Sequence, residues 1–329
     1  MNAPSSNTMR AITQSRYGDA DVLDLAKIPV PSIASDEVLV KVHAAGLDRG
    51  TEHLLTGKPY AMRLAVGLRR PKQPVPGRDV AGTVAAVGSS VTRFAVGDEV
   101  YGVAPGSFAE FAVGKERKLA HKPANLSFAE AAVVPVSAGT ALRAVEHVGH
   151  LEALQSVLVL GASGGVGSYA VQIAKAIGAE VTGASSTSKR DFVRSLGADH
   201  VIDYTQQDFA DGSRRYDLIL DIAGNPSLTR LRRALTPRGT AVFVGGENAG
   251  SLLGMGRQVR GVLVSPFLRQ RLVLLPTRES AEDYDRLTEL IEAGKVTPRL
   301  DDTYPLEDAA EAVRRLERGE IQGKVAITV

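Results

Sequence analysis

Residues 156–178, SVLVLGASGGVGSYAVQIAKAIG, place an apolar run, a glycine-rich turn and a helical pattern in direct succession. Val157 to Leu160 read as a buried parallel strand, and Val166 to Ile177 carry apolar residues at helical spacing up to Gly178. Ala162, Gly164 and Gly167 hold the three positions of a G-x-G-x-x-G turn, with alanine in the first. Small residues there let the backbone bend sharply, approach a pyrophosphate and seat the helix against the strand. Gly165 and Val166 open that helix, whose free N–H groups and positive dipole end suit phosphate. Strand before and helix after give this short motif its meaning, and the reading is a dinucleotide site.

Past the turn, a second strand over Glu180 to Ala184 ends where an NAD-preferring site places a carboxylate against the ribose 2'-hydroxyl. Here stand Ser185, Ser186, Thr187, Ser188, Lys189 and Arg190. Hydroxyls and two cations in place of an acid favour a 2'-phosphate, so NADPH is the expected cofactor. Ser188 also reads as a helix N-cap, with Lys189 and Arg190 in its first turn, and the two readings are compatible.

The composition narrows the remaining classes. The chain has 329 residues, 39 cations, 37 anions and a net charge of +2, which gives no electrostatic case for nucleic acid or an anionic membrane. No apolar run approaches a membrane span, so no membrane insertion is expected. MNAPSSNTM lacks the blocks of a signal peptide, and a soluble cytoplasmic protein is expected. Cysteine is absent, which removes disulfides, thiolate catalysis and cysteine-bearing zinc sites. The six histidines form no H-x-x-x-H or H-E-x-x-H pattern, and no metal site is expected.

Short strands with turns are expected over residues 10–125: 11–14, 37–44, 79–87, 98–103 and 108–113, a compact β barrel-like unit. Helical pattern covers Ser127 to Ala153. Strands and helices then alternate, with strands at 180–184, 200–204, 217–222 and 240–245 and helices at 189–196 and 227–235, which implies a parallel sheet covered on both faces. Ligands in such sheets lie beyond the carboxyl ends of the strands, so Asp221 to Asn225 and Gly245, Gly246 to Asn248 border the cofactor. Residues 248–271 suit either a lid or a dimer surface. Amphipathic helices at 281–293 and 306–318 and a closing strand at 324–329 complete the chain.

Residues 77–102, GRDVAGTVAAVGSSVTRFAVGDEVYG, together with GSFAEFA at Gly106, GASGGVG at Gly161, SLGADHVIDY at Ser195 and GKV at Gly323, resemble the zinc-free quinone oxidoreductase branch of the medium-chain dehydrogenase/reductase superfamily. The resemblance runs from about residue 9 to the C-terminus. It implies an α/β protein with a GroES-like β-barrel catalytic domain and a Rossmann doubly wound parallel-sheet cofactor domain, its active site lying in the cleft between them. The expected division is 1–125 catalytic, 126–268 cofactor-binding and 269–329 a return to the catalytic domain. Zinc-dependent relatives have a cysteine near position 48 and a histidine in a G-H-E element; this chain has Asp48 and Arg78.

The resemblance also implies site roles. Asp48 and His53 occupy positions that face substrate, where quinone reductases usually carry asparagine and often tyrosine. His53 or Thr51 is expected near the acceptor oxygen, with His53 the proton donor; otherwise His53 packs on its turn. Asp48 either caps the following turn or contacts the cofactor ribose or His53. Thr140 approaches the nicotinamide end, Lys189 and Tyr204 the 2'-phosphate, and Lys324 either reaches the cofactor or sits at the surface. Tyr60 and Phe267 are expected in the substrate pocket. The cations Arg63, Arg69, Arg70 and Lys72 form a solvated face or draw anionic acceptors to an entrance. The expected activity is metal-independent reduction of a quinone by NADPH, with enoyl or alkenal C=C reduction as the alternative, and a non-catalytic NADPH-binding or sensor protein as the alternative from another class. A small electrophilic acceptor and a homodimer are the expected partners, the dimer extending a sheet edge at Leu272 to Leu275.

Overall fold

The computed structural model describes residues 7–245, 256–276 and 278–329. In chain order the strands are β1 (Thr8–Thr13), β2 (Asp24–Pro29), β3 (Glu37–Leu47), β4 (Asp79–Val87), β5 (Glu99–Val103), β6 (Phe111–Lys115), β7 (Leu119–His121), β8 (Ser156–Leu160), β9 (Glu180–Ser185), β10 (His200–Asp203), β11 (Tyr216–Asp221), β12 (Leu235–Phe243), β13 (Arg271–Leu274), β14 (Leu300–Pro305) and β15 (Lys324–Thr328). The helices are α1 (Arg49–Thr56), α2 (Arg63–Val66), α3 (Phe128–Ala132), α4 (Pro135–Leu142), α5 (Gly165–Ile177), α6 (Arg190–Ser195), α7 (Leu228–Ala234), α8 (Gly256–Val264), α9 (Ala281–Glu292) and α10 (Ala309–Glu317).

Two compact units divide the chain. The first comprises residues 1–139, 279–294 and 298–329, and the second residues 140–278 and 295–297. In the first, β14-β15-β3-β4-β5-β7 form a sheet with β6 paired to β3, and β1 and β2 make a separate antiparallel pair. Long β3 serves as the hub because β15, β4 and β6 all pair with it antiparallel. Its inward residues Val38, Val40 and Val42 pack with Val80, Val100, Phe108 and Val325 in one buried core.

Among the described residues of the second unit six strands run parallel in the order β10-β9-β8-β11-β12-β13. That is the doubly wound order, with its switch point between β8 and β11. Continuous apolar strands such as Val157–Leu160 and Leu218–Leu220 are buried because helices leave neither face of the sheet to water. Helix α5 begins at extended Gly164 and stops at left-handed Gly178, whose N–H bonds Ala174 O.

The unit boundaries differ from those expected. Residues 126–139 belong with the first unit: Val136 N donates to Asp79 Oδ1, and the Phe128 ring stacks on His43 at 4.3 Å. Residues 269–278 belong with the second, because β13 pairs with β12. The expected helix over 127–153 is broken into α3, α4 and a π-helical stretch at Arg143–Val148. A Ser127/Glu130 capping box starts α3, and Pro135 starts α4 anew. Strands β2 and β14 escape sequence reading because none of their residues is fully buried, so no apolar core face marks them.

Candidate functional site

The carboxyl ends of the parallel strands form a row. Asp203 closes β10, Ser185 β9, Leu160 β8, Asp221 β11 and Phe243 β12, and register sets Asp203 beside Ser185 and Leu160 beside Ala184 and Asp221. Neighbouring parallel strands stand about 4.8 Å apart, so the loops that follow make one continuous edge. Ala162 is buried there, its N–H donating to Ala184 O. A Cβ on Gly167 would lie 2.1 Å from Gly161 O, so only glycine lets α5 pack against the turn. Gly164 is the opposite case: it is exposed, and a Cβ there would meet nothing closer than 3.5 Å. Among the described residues no side chain caps α5, which leaves its first N–H groups and the open Gly164–Gly165–Val166 backbone to a ligand. These residues fit a pyrophosphate.

At the neighbouring strand end Ser185 is buried, Ser186 half-buried and Tyr204 62% exposed. Ser188 caps no helix; it lies in a 3-10 turn over Thr187–Lys189 that begins after Ser186, and α6 follows from Arg190. Lys189 and Arg190 are half-buried beside it. A carboxylate is present after all, supplied by the next strand. Asp203 accepts from Thr187 Oγ1 at 2.5 Å and from Thr205 Oγ1 at 2.6 Å. Those hydroxyls, with Arg190 as a smaller influence, hold Asp203 below the usual aspartate range. Linear sequence spacing hid it, and strand register reveals it.

Across the switch point, Gly245 N donates to Asp221 O, and Gln258 Nε2 donates to Gly245 O. Arg257 Nη2 lies 2.6 Å from Asp221 Oδ2 and its Nε bonds Asn225 Oδ1, fixing the start of α8 to this loop. Burial is the main cause that raises Asp221 to about 6, opposed by Arg257. Gly246, also expected at the cofactor, lies outside the described residues. Thr140 sits half-buried on α4. Phe267 is 87% exposed and borders a groove with Leu228, Val264, Leu268 and Arg260.

In the first unit a buried charged cluster occupies the start of α1 and β4. Asp48 caps α1, its Oδ1 accepting from Thr51 N at 2.6 Å. Among the described residues its buried Oδ2 finds no hydrogen-bond partner, nor does Thr51 Oγ1. Arg78 pairs with Glu279, which also accepts from Lys118 at 2.8 Å, and the charges of Asp48 and Asp79 act on Arg78. Asp79 is fully buried and raised to about 7 by that burial, with Lys324 opposing the shift. Lys324 is a buried residue, not a surface one, and its Nζ donates to Leu47 O. Glu279 carried no signal in the sequence, because 201 positions separate it from Arg78.

The expected site residues thus fall into distinct settings. Asp48, Thr51 and Lys324 are buried, whereas His53 is exposed on the same helix as Thr51. Two positions along an α-helix lie roughly 200° apart, so Thr51 and His53 occupy opposite faces. Tyr60 is 42% exposed, its ring under the Arg63 guanidinium at 4.7 Å.

The alcohol dehydrogenase GroES-like domain family matches residues 34–124, and the zinc-binding dehydrogenase family residues 196–327. The chain is 35% identical to a 2-methylene-furan-3-one reductase of Solanum lycopersicum, over 97% of this chain and 79% of that protein. It is 34% identical to a chloroplastic NADPH-dependent alkenal/one oxidoreductase of Arabidopsis thaliana, with the same coverage. The solved quinone oxidoreductase of Coxiella burnetii superimposes with a TM-score of 0.86 at 28% identity, covering 98% of this chain and 99% of that one. The zinc in one family's description does not suit the residues here. Asp48 spends one oxygen as a helix cap, and Arg78 carries a guanidinium that donates hydrogen bonds and offers no lone pair. Among the described residues no group of three or more His, Cys, Asp or Glu is placed to hold a metal.

Proposed function

The chain belongs to the quinone oxidoreductase branch of the medium-chain dehydrogenase/reductase superfamily, and on that premise we propose that it is an NADPH-dependent reductase of conjugated acceptors, quinones first. The observation that carries this reading is the turn in which Gly167 is sterically required while Gly164 stays open, beside the cations Lys189 and Arg190. Ala162, Gly164, Gly165, Val166 and Gly167 would hold the pyrophosphate, Gly245 the far side of the switch point, and Thr140 the nicotinamide half. Ser185, Ser186, Lys189 and Tyr204 would hold the 2'-phosphate. Arg190, beside them in the chain, offsets part of the charge of Asp203.

When bound, NADPH supplies the hydride, and the protein supplies orientation and charge. A quinone or an α,β-unsaturated carbonyl takes up hydride with its negative charge spread to a conjugated oxygen, so no Lewis acid is required. Thr51 is buried, whereas His53 is exposed and open to water. We therefore assign proton delivery to His53 and a structural role to Thr51 and Asp48 as the capped start of α1. Tyr60 would offer aromatic surface to the acceptor.

Reduction of an activated C=C bond is the second reading, supported by the names of the two plant relatives. Initial rates of NADPH consumption with a quinone, an enone and an isolated ketone separate the readings. Quinone turnover well above enone turnover supports the first, the reverse order the second, and saturable NADPH binding without any turnover a non-catalytic binding protein.

We also propose a homodimer. Strand β13 is the outer strand of its sheet, and Val262, Leu263, Phe267 and Leu274 nearby are exposed. A cytoplasmic location is part of the proposal, since a chain without cysteine has nothing to gain from an oxidising compartment. Among the described residues no helix is long and apolar enough to cross a membrane.

A further inference from the structure

The overall charge of +2 conceals a strong asymmetry. Between Glu52 and Asp79 lie 26 residues without a single acid and with six cations, Lys58, Arg63, Arg69, Arg70, Lys72 and Arg78. The other residues hold 33 cations against 37 anions. Four of the six, Lys58, Arg69, Arg70 and Lys72, are exposed. Among them stand two leucines with most of their surface in water, Leu64 at 76% and Leu68 at 68%.

These side chains are displayed on a fixed support. The Arg63 guanidinium sits over the rings of Tyr17 and Tyr60, at 4.3 and 4.7 Å, and donates to Gly57 O and Thr56 O. Tyr17 Oη donates to Gly67 O at 2.6 Å, and Lys72 Nζ to Ala65 O at 2.8 Å. Gly67 has φ 127°, and a Cβ there would lie 2.1 Å from Arg70 O, so the turn that presents Leu68, Arg69 and Arg70 depends on glycine. Hydrogen bonds and stacking thus hold exposed leucines outward, where burial would otherwise be favoured.

We infer that residues 58–72 form a docking surface for an anionic lipid bilayer, with Leu64 and Leu68 entering the headgroup boundary and Lys58, Arg69, Arg70 and Lys72 facing lipid phosphates. Charge complementarity selects this occupant: every charged residue of 58–72 is a cation, and apolar side chains stand between those charges in the sequence, as at other interfacial anchors. A soluble acidic partner accounts for the cations and leaves the leucines unexplained. Each cation near such a surface raises partitioning by about fivefold, so the four together give reversible, salt-sensitive adsorption. The inference does not depend on the reductase reading, because adsorption is measured without cofactor or acceptor. Its consequence for a reductase is access to acceptors dissolved in lipid.

The test is sedimentation of the full chain with phosphatidylglycerol-containing vesicles and with pure phosphatidylcholine vesicles, at rising salt. Binding to the anionic vesicles alone is expected, weakened by salt. It should fall at least about tenfold in Arg69→Glu/Arg70→Glu, and clearly in Leu64→Gln/Leu68→Gln, while Arg117→Glu/Arg238→Glu binds as the parent does. No preference for anionic vesicles overturns the inference, and so does an equal loss in the control pair. Retention on soluble polyglutamate that matches vesicle binding and ignores the leucine substitutions also overturns it, assigning the patch to an acidic protein. All the substituted side chains are exposed, and unchanged thermal midpoints separate surface effects from misfolding.

Discussion

Lys324 Nζ stands 3.8 Å from Asp79 Oδ2, and both side chains are closed to solvent. The lysine donates a hydrogen bond to Leu47 O, so it joins β15 to the end of β3 and to the residue before the Asp48 cap. Asp79 accepts from Val136 N at the start of α4 and has its other oxygen unbonded. This pair therefore binds four segments that meet at one buried point.

Its pH dependence has a defined sign. Burial raises Asp79 from 3.8 to about 7, so between about pH 4 and 7 the folded protein keeps a proton that the unfolded chain releases. The native state binds more protons there, and this carboxyl's contribution to stability falls as pH rises through that window. Asp79→Asn should flatten the profile, with urea midpoints changing less than in the parent from about pH 5 to 8. Parallel profiles would contradict the assignment.

Much of this was legible in the sequence, for physical reasons. The strand-turn-helix at 156–178 combines period, small residues and caps that all point one way, and the fold follows them. Contacts distant in sequence were not legible. Asp203 reaches the cofactor edge only through strand register, and Glu279 reaches Arg78 only through the return of the chain into its first unit. A count of charges over the whole chain likewise concealed the acid-free segment at 53–78.

Gly164 and Gly167 should respond oppositely to the same methyl group. Gly167→Ala drives a Cβ against Gly161 O and should destabilise the protein by roughly 1–3 kcal/mol, read as a lowered urea midpoint. Gly164→Ala has room and should fold as the parent does, while NADPH binding by titration weakens by about tenfold because the pyrophosphate loses its approach. Equal folding defects in both would refute the distinction.

The proposed preference for NADPH rests on Lys189 and its neighbour Arg190. Lys189→Ala should weaken NADPH by about tenfold or more and NADH little, since only the former carries the 2'-phosphate. Equal weakening of both would remove the 2'-phosphate assignment.

The proton-delivery role of His53 predicts that His53→Ala lowers turnover and alters its pH profile between about pH 5 and 9, with folding intact because the side chain is exposed. Full turnover across that range would leave the proton to solvent.

Association through the β13 edge predicts that Val262→Asp/Phe267→Asp shifts the protein from dimer to monomer in sedimentation velocity. Both residues are exposed, so the fold should survive. A parent that sediments as a monomer at all concentrations would rule out the dimer.

The most direct measurement of the central claim is NADPH consumption with a 1,4-quinone before and after exhaustive dialysis against a metal chelator. Asp48 and Arg78 at the positions of zinc ligands lead to saturable turnover that the chelator leaves unchanged and added zinc does not raise. Turnover lost on chelation and restored by zinc, or no turnover in protein saturated with NADPH, would contradict the account.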